Sequence, residues 1–322
     1  MPKLNAIYIF CGNKQRHQEW ARNWFKVKGV HTSIPPICQA LAEAVKKCNQ
    51  DHVDFTVISA HEGGSSENRN RIEPSFMYTQ LFKEILLDMD HGQQVINDLV
   101  MFCKETYERN PDELKCIQDF QRNYHSSNAI WWYTRECFTY KMINRALRTL
   151  DADMIIRMGF FLCDVHRQIQ ELHKKQIPQY HGEPFLLYRG QRLLKSDFEK
   201  INKNKGGLIS FNNFLSTSKT RDVALIYADG VQEATGKVGV LFQMTIDPKQ
   251  SSTSFASIRE LSYFQQEEEV LFSMHSVFRI GEVRKIPNDN QLYEVDLKLT
   301  ADDDQQLHQL TDRIRERCCC RY

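Results

Sequence analysis

The sequence predicts an α+β fold, with a helical lobe first and a strand-rich, mixed β-sandwich core after it. Two observations carry this. From Ser75 to about Gln176 the apolar residues recur at helical spacing, as in "FMYTQLFKEILLDM". From Pro184 onward the apolar runs turn short, β-branched or aromatic, and Gly, Asn, Asp and Pro separate them. Helices followed by strands, rather than alternating with them, mark an α+β chain. At 322 residues the chain is long enough to bury a substantial core.

Taken in order, residues 1–72 form a small α/β appendage plus linker. "AIYIF" and "DFTVIS" are strand-like, and "CQALAEAVKKC" between them has helical spacing. Two strands make no stable sheet alone, so this piece is expected to lean on the rest of the chain. The polar, breaker-rich "HEGGSSENRNRIEP" at 61–74 links it onward. The main domain spans 73–300. Its helical lobe, 73–180, carries an Asn110 cap with Pro111 at the first helical position. Ser127 is expected to cap "AIWWYTRECFTYKMINRAL", and Asp151 to cap "MIIRMGFFLCDVHRQIQELH". Trp131 and Trp132 sit in a dense apolar helix, which favours core packing over base stacking.

The β core, 183–300, runs through "FLLYRG", "LISFNNFLSTS", "KVGVLFQMTI", "EEVLFSM", "SVFRIGEVRKI" and "QLYEVDLKLT", interrupted by the helix-like "RDVALIYAD". Residues 301–322 read as a charged terminal helix or tail that ends in Cys318, Cys319 and Cys320.

Charge and cysteine usage narrow the function. Lysine plus arginine (42) nearly balances aspartate plus glutamate (41), so no bulk charge argues for nucleic acid or membrane surfaces as partners. The apolar opening is too short for a signal peptide, and no run approaches membrane-spanning length. A cytoplasmic protein is the expectation. Seven of the ten cysteines are scattered singly without CxxC spacing, so no metal site is expected and they are most simply small buried hydrophobes.

Three strand-linked signals then follow one another: Tyr188-Arg189-Gly190, Leu215-Ser216-Thr217-Ser218, and Glu267-Glu268-Glu269-Val270. Singly, each has a plainer explanation: a turn, a cap for the next helix, a solvated acidic loop. Together, and in this order, they resemble the arginine-serine-glutamate (R-S-E) class of mono-ADP-ribosyltransferases, toxin-like and ecto-enzyme-like alike. The resemblance spans roughly 75–297, helical lobe included, and "SIRELSYFQQEEEVLF" is similar to the family's substrate-recognition turn leading into its catalytic glutamate.

The resemblance implies transfer of ADP-ribose from NAD to an exposed arginine of an acceptor protein, with release of nicotinamide and no metal. Splitting NAD between nicotinamide and ribose develops an oxocarbenium-like charge that a carboxylate stabilises. By the resemblance that carboxylate is Glu269, bonded to the ribose 2′-hydroxyl. Glu267 lies two residues back on the same strand face and engages the acceptor guanidinium. Arg189 holds NAD with its planar fork. Gly190 lets the backbone approach the nicotinamide carboxamide. Ser216 fixes Glu269, while Thr217 and Ser218 satisfy strand and phosphate groups. Tyr263, Phe264 and Glu267 recruit the substrate. A missing GxGxxG fingerprint fits, because this family does not bind NAD in the Rossmann manner.

The sequence departs from the ecto-enzymes in showing neither a secretory signal nor their disulfides, which weakens the carry-over of substrate and compartment. Rival readings are an NAD glycohydrolase, a catalytically idle NAD-binding or interaction module, and a helical scaffold. Retention of Arg189, Ser216, Glu267 and Glu269 together argues against idleness, and a scaffold leaves the second half of the chain unexplained.

Overall fold

The computed structural model describes residues 7–10, 27–31, 55–59, 76, 92–149, 151–231, 236–249, 253–266, 268–287, 291–301, 304–308 and 310. The chain divides into two compact units, Met1–Val53 and Asp54–Tyr322. In the first, β1 (Ile7–Phe10) pairs in parallel with β2 (Val27–His31). The "DFTVIS" run, grouped with that unit on sequence, belongs instead to the second. As β3 (Phe55–Ile58) it pairs antiparallel along Leu208–Phe211 at the edge of the main sheet. The reason is burial: Phe55 and Ile58 cover apolar partners that a two-stranded ribbon does not supply.

Helices follow: α1 (Gln93–Thr106), α2 (Pro111–Asn123), α3 (Ala129–Thr134), α4 (Phe138–Thr149), α5 (Ala152–Arg157) and α6 (Gly159–Gln176). Asn110 caps α2, its side-chain oxygen accepting from the Glu113 N–H at 3.2 Å, with Pro111 at the first position. Asp151 caps α5 in the same way, accepting from Met154 N–H at 3.2 Å. Ser127 does not cap α3. It lies in a short 3-10 turn, Ser126–Asn128, and its hydroxyl bonds His125 Nδ1 at 2.7 Å.

The long helix expected from 129 to 147 is broken in two. Glu136 takes a left-handed φ of 51°, and the Thr139 hydroxyl donates to the Trp132 carbonyl at 2.9 Å, folding α4 back onto α3. The lobe closes around Phe120, whose ring meets Trp132, Phe138 and Phe161 edge-on at 5.0, 5.4 and 6.3 Å. Cys103, Cys116, Cys137 and Cys163 are buried in it as free thiols.

The strands are β4 (Phe185–Leu194), β5 (Leu208–Phe211), β6 (Leu215–Ser218), β7 (Lys237–Ile246), β8 (Phe255–Ser257), β9 (Glu269–Phe272), β10 (Ser276–Lys285) and β11 (Leu292–Leu299). Among the described residues they form, with β3, one nine-stranded mixed sheet in the order β3-β5-β10-β11-β7-β4-β6-β9-β8, with β11 and β7 parallel. The sheet folds over itself. Phe272 on β9 meets Phe278 on β10 at 5.7 Å although the strands stand five places apart, and Phe211 on β5 meets Phe242 on β7 at the same distance. These rings are the centre of the sandwich.

Two helices lie between strands, α7 (Lys195–Lys203) and α8 (Arg221–Ala228). Past β11, Asp304 accepts from the N–H groups of Gln306 and Leu307 at 3.1 and 3.0 Å and starts the helical turn at 305–308. Cys318, Cys319 and Cys320 lie outside the described residues. Among the described residues no helix is long and apolar enough to cross a membrane.

Candidate active site

Three neighbouring strands bring the predicted residues together. Tyr188 on β4 pairs with Ser218 on β6, and Ser218 pairs in turn with Glu269 at the start of β9. Directly opposed residues of an antiparallel pair share a face, and alternation adds Ser216 to that face. Ser216, Ser218 and Glu269 are each half-buried along it, whereas Thr217 points the other way and is buried.

Arg189 crosses from β4 toward β6, its Nη1 donating to the Ser216 carbonyl at 2.9 Å. Its Nε is buried and, among the described residues, has no hydrogen-bond partner. A buried guanidinium N–H left unsatisfied costs stability, so its retention in a cleft wall points to a ligand acceptor.

The smaller residues of the motif are held by local structure. The Thr217 hydroxyl donates to the Val270 carbonyl at 2.7 Å, adding a side-chain tie to the β6–β9 ladder. The Ser218 hydroxyl accepts from Thr220 N–H at 3.0 Å and so organises the turn into α8. Gly190 also has a packing role. A Cβ there would lie 1.7 Å from the Ala224 carbonyl oxygen and 3.0 Å from the Ala228 nitrogen, so the missing side chain admits the α8 backbone onto β4. Glu267 lies outside the described residues.

Arg189, Gly190, Ser216, Thr217, Ser218 and Glu269 line one cleft of about 990 Å³ between the sheet and the helical lobe. Its far wall was not anticipated from sequence. It comes from α3 and α4: Tyr133, Tyr140, Asn144, Arg145 and Arg148. Tyr133 meets Phe214 edge-on at 5.2 Å and its hydroxyl donates to Asn144 Oδ1 at 3.3 Å. Burial pushes the Tyr133 phenol well above its ordinary range; the nearby Tyr140 and Glu269 add to this, while the Asn144 hydrogen bond and the Arg189 charge oppose it. The phenol is therefore a neutral wall for the site. A recoverable signal existed: Tyr140, Asn144 and Arg148 recur every four residues, a polar stripe on one face of an amphipathic helix.

Tyr263 and Phe264 are 46% and 41% exposed at the cleft mouth, with rings 5.0 Å apart and edge-on. Phe264 lines the main cleft, and both rings line a smaller hollow of about 570 Å³ beside it. Glu268 pairs loosely with Arg259 at 3.9 Å, both well exposed, a contact of little energetic weight. Among the described residues no group of histidine, cysteine and carboxylate side chains could hold a metal ion.

The sequence family described as ADP-ribosyltransferase exoenzyme matches residues 110–302. Among solved structures the chain is similar to the ADP-ribosyltransferase HopU1 of Pseudomonas syringae, at 15% identity and a TM-score of 0.43 over 66% of this chain and 99% of that one. It is similar to Plx2a, an ADP-ribosyltransferase toxin from Paenibacillus larvae, at 16% and 0.40 over 59% and 97%. It is also similar to the C3 exoenzyme of Clostridium limosum, at 16% and 0.38 over 54% and 84%. No curated protein matches the sequence.

Proposed function

Since the chain belongs to the ADP-ribosyltransferase exoenzyme family, we propose that it is a mono-ADP-ribosyltransferase whose acceptor is an arginine side chain on a protein. The observation that carries this reading is the convergence of Arg189, Ser216 and Glu269, from three different strands, on one cleft. At about 990 Å³ the cleft is at the upper end of the roughly 300–1,000 Å³ usual for small-molecule sites. A dinucleotide suits that size.

In this reading Arg189 and the basic rim of Arg145 and Arg148 hold the diphosphate of NAD, and Tyr133 and Tyr140 offer ring faces. The C1′–N bond breaks, and its electron pair leaves on the nicotinamide nitrogen, cancelling the pyridinium charge. Glu269, fixed by Ser216 on the neighbouring strand, bonds the ribose 2′-hydroxyl and stabilises the charge developing at C1′. A guanidine nitrogen then bonds C1′, and the proton it sheds goes to Glu267. Tyr263 and Phe264, exposed beside the cleft, receive the protein around the acceptor.

The arginine preference rests on Glu267, two residues before Glu269. A guanidinium keeps its proton to a pKa above about 12 and needs a carboxylate to take it, whereas water is less demanding. Glu267→Gln is therefore expected to abolish transfer to agmatine and spare hydrolysis of NAD to ADP-ribose and nicotinamide. Equal loss of both activities, or continued transfer to agmatine, contradicts the arginine assignment.

A further inference from the structure

The two tryptophans of α3 have separate fates. Trp132 is fully buried in the helical core, 1% exposed, whereas Trp131 is partly exposed and meets Tyr263 edge-on at 5.3 Å. The guanidinium of Arg135 lies 5.1 Å from the Trp131 ring, 5.0 Å from Trp132 and 6.0 Å from Tyr263. Arg135 is itself held by Asp119 on α2, Nη1 to carboxylate at 2.6 Å. One residue earlier, the buried Thr134 hydroxyl donates to the Ile130 carbonyl at 2.9 Å and accepts from the Tyr263 N–H at 2.8 Å. The turn bearing Tyr263 and Phe264 is thus pinned twice to the helical lobe, once through backbone and once through a cation held among three aromatic rings.

A surface aromatic needs no such support to stay folded. Within the turn, Leu261 and Ser262 already donate to the Ile258 carbonyl at 2.9 and 2.8 Å, and Phe264 N–H donates to the Ser262 hydroxyl at 3.1 Å. What the extra ties set is where the two exposed rings stand relative to the cleft mouth. The hydroxyl donates to carbonyls of its own helix and accepts from Tyr263, so it sets the height of Tyr263 along the lobe. The guanidinium, attractive to the ring faces at this range, defines the angle of the aromatic pair. Thr134 lies at the edge of the cleft that Arg189, Ser216 and Glu269 line, whereas Arg135 is outside that lining.

We propose that Thr134 and Arg135 are positioning residues for the acceptor: they hold Tyr263 and Phe264 in place and govern acceptor use without taking part in NAD cleavage. The proposal rests on the transferase reading above. It names a division of labour within the fold, with the sheet cleaving NAD and the helical lobe, through Asp119, Arg135, Trp131 and Thr134, presenting the acceptor.

The test uses the full chain and three variants. Arg135→Met is expected to raise the KM for a polyarginine acceptor by about tenfold, as loss of a cation–π contact and its ion pair implies, with acceptor-free NAD hydrolysis within about twofold of wild type. Arg135→Lys keeps the charge and should recover most of the loss. Thr134→Val should speed hydrogen exchange of the Tyr263 amide by about fivefold or more through loss of one hydrogen bond. The exchange readout needs no catalysis and separates this proposal from the functional one: a wild-type protein that cleaves no NAD sinks the transferase reading, while unchanged exchange in Thr134→Val sinks the pinning. Loss of hydrolysis and transfer in equal proportion in Arg135→Met, or no rescue by lysine, makes Arg135 a fold residue and overturns its positioning role.

Discussion

Replacing Gly190 by alanine adds a single carbon whose consequence follows directly from the geometry. The added Cβ would lie 1.7 Å from the Ala224 carbonyl oxygen and 2.8 Å from its carbon. Both are backbone atoms of α8, so no side chain can swing aside, and the helix must lift from the sheet. Gly239 on β7 meets the same helix, with 2.3 Å to the Ala228 carbonyl oxygen, so α8 is seated on two glycines. Overpacking typically costs about 1–3 kcal/mol, and a backbone clash belongs at the top of that range. At about 2–4 °C per kcal/mol for a domain of this size, the melting temperature should fall by about 6–12 °C. Because α8 contributes Val223 and Tyr227 to the cleft and follows directly on Ser218, NAD affinity should fall with it. Scanning calorimetry and titration calorimetry read the two effects. Gly92→Ala, where nothing lies within 4 Å of the added atom, is the clash-free control; Gly92 is the N-cap of α1, so the change should cost no more than about 1 kcal/mol. A Gly190→Ala protein that melts within about 1 °C of wild type and binds NAD equally would refute the seating argument.

Arg189→Lys keeps the charge but loses the fork and the Nη1 donation to Ser216, so NAD should bind about tenfold more weakly by calorimetry; equal affinities would make Arg189 a structural strand residue. Acid stability probes the Asp119–Arg135 pair. The hydrogen bond from Arg135 is the chief cause holding the Asp119 carboxyl below its ordinary range. A depressed folded-state value means the pair's stabilisation is present above the unfolded carboxylate pKa of about 3.9 and is lost as pH falls through the folded value. Asp119→Asn should therefore flatten part of the stability loss below about pH 4, measured by circular dichroism in denaturant, and parallel wild-type and variant curves would contradict this.

Much of the architecture was legible because the signals were local. Asn110-Pro111 and Asp151 cap where the sequence places them, since a capping side chain needs only its own first turn. The change of periodicity near Pro184 marks the passage from α6 to β4. That Arg189, Ser216 and Glu269 would come together on one cleft was legible because each lies in a short strand motif.

What was not legible depends on partners distant in sequence. Glu136 breaks a run of helical periodicity with a left-handed φ, and Thr139 bonds back to the Trp132 carbonyl, a turn that the apolar spacing does not encode. Trp131 and Trp132 are alike in type, but neighbouring helix positions point to different faces, so Trp132 enters the core while Trp131 meets Tyr263 from more than a hundred residues on. The sequence does not show that Gly190 also seats a helix, because α8 returns over β4 from more than thirty residues on.

The central claim is that Glu269 acts on the charge that develops as NAD is split, and not on NAD binding. The most direct measurement compares wild type with Glu269→Gln by titration calorimetry with NAD and by release of labelled nicotinamide. The account predicts an NAD affinity within about threefold of wild type and cleavage lowered by about a hundredfold or more, the effect of removing one preorganised electrostatic stabiliser. Cleavage by Glu269→Gln at near wild-type rate would contradict it.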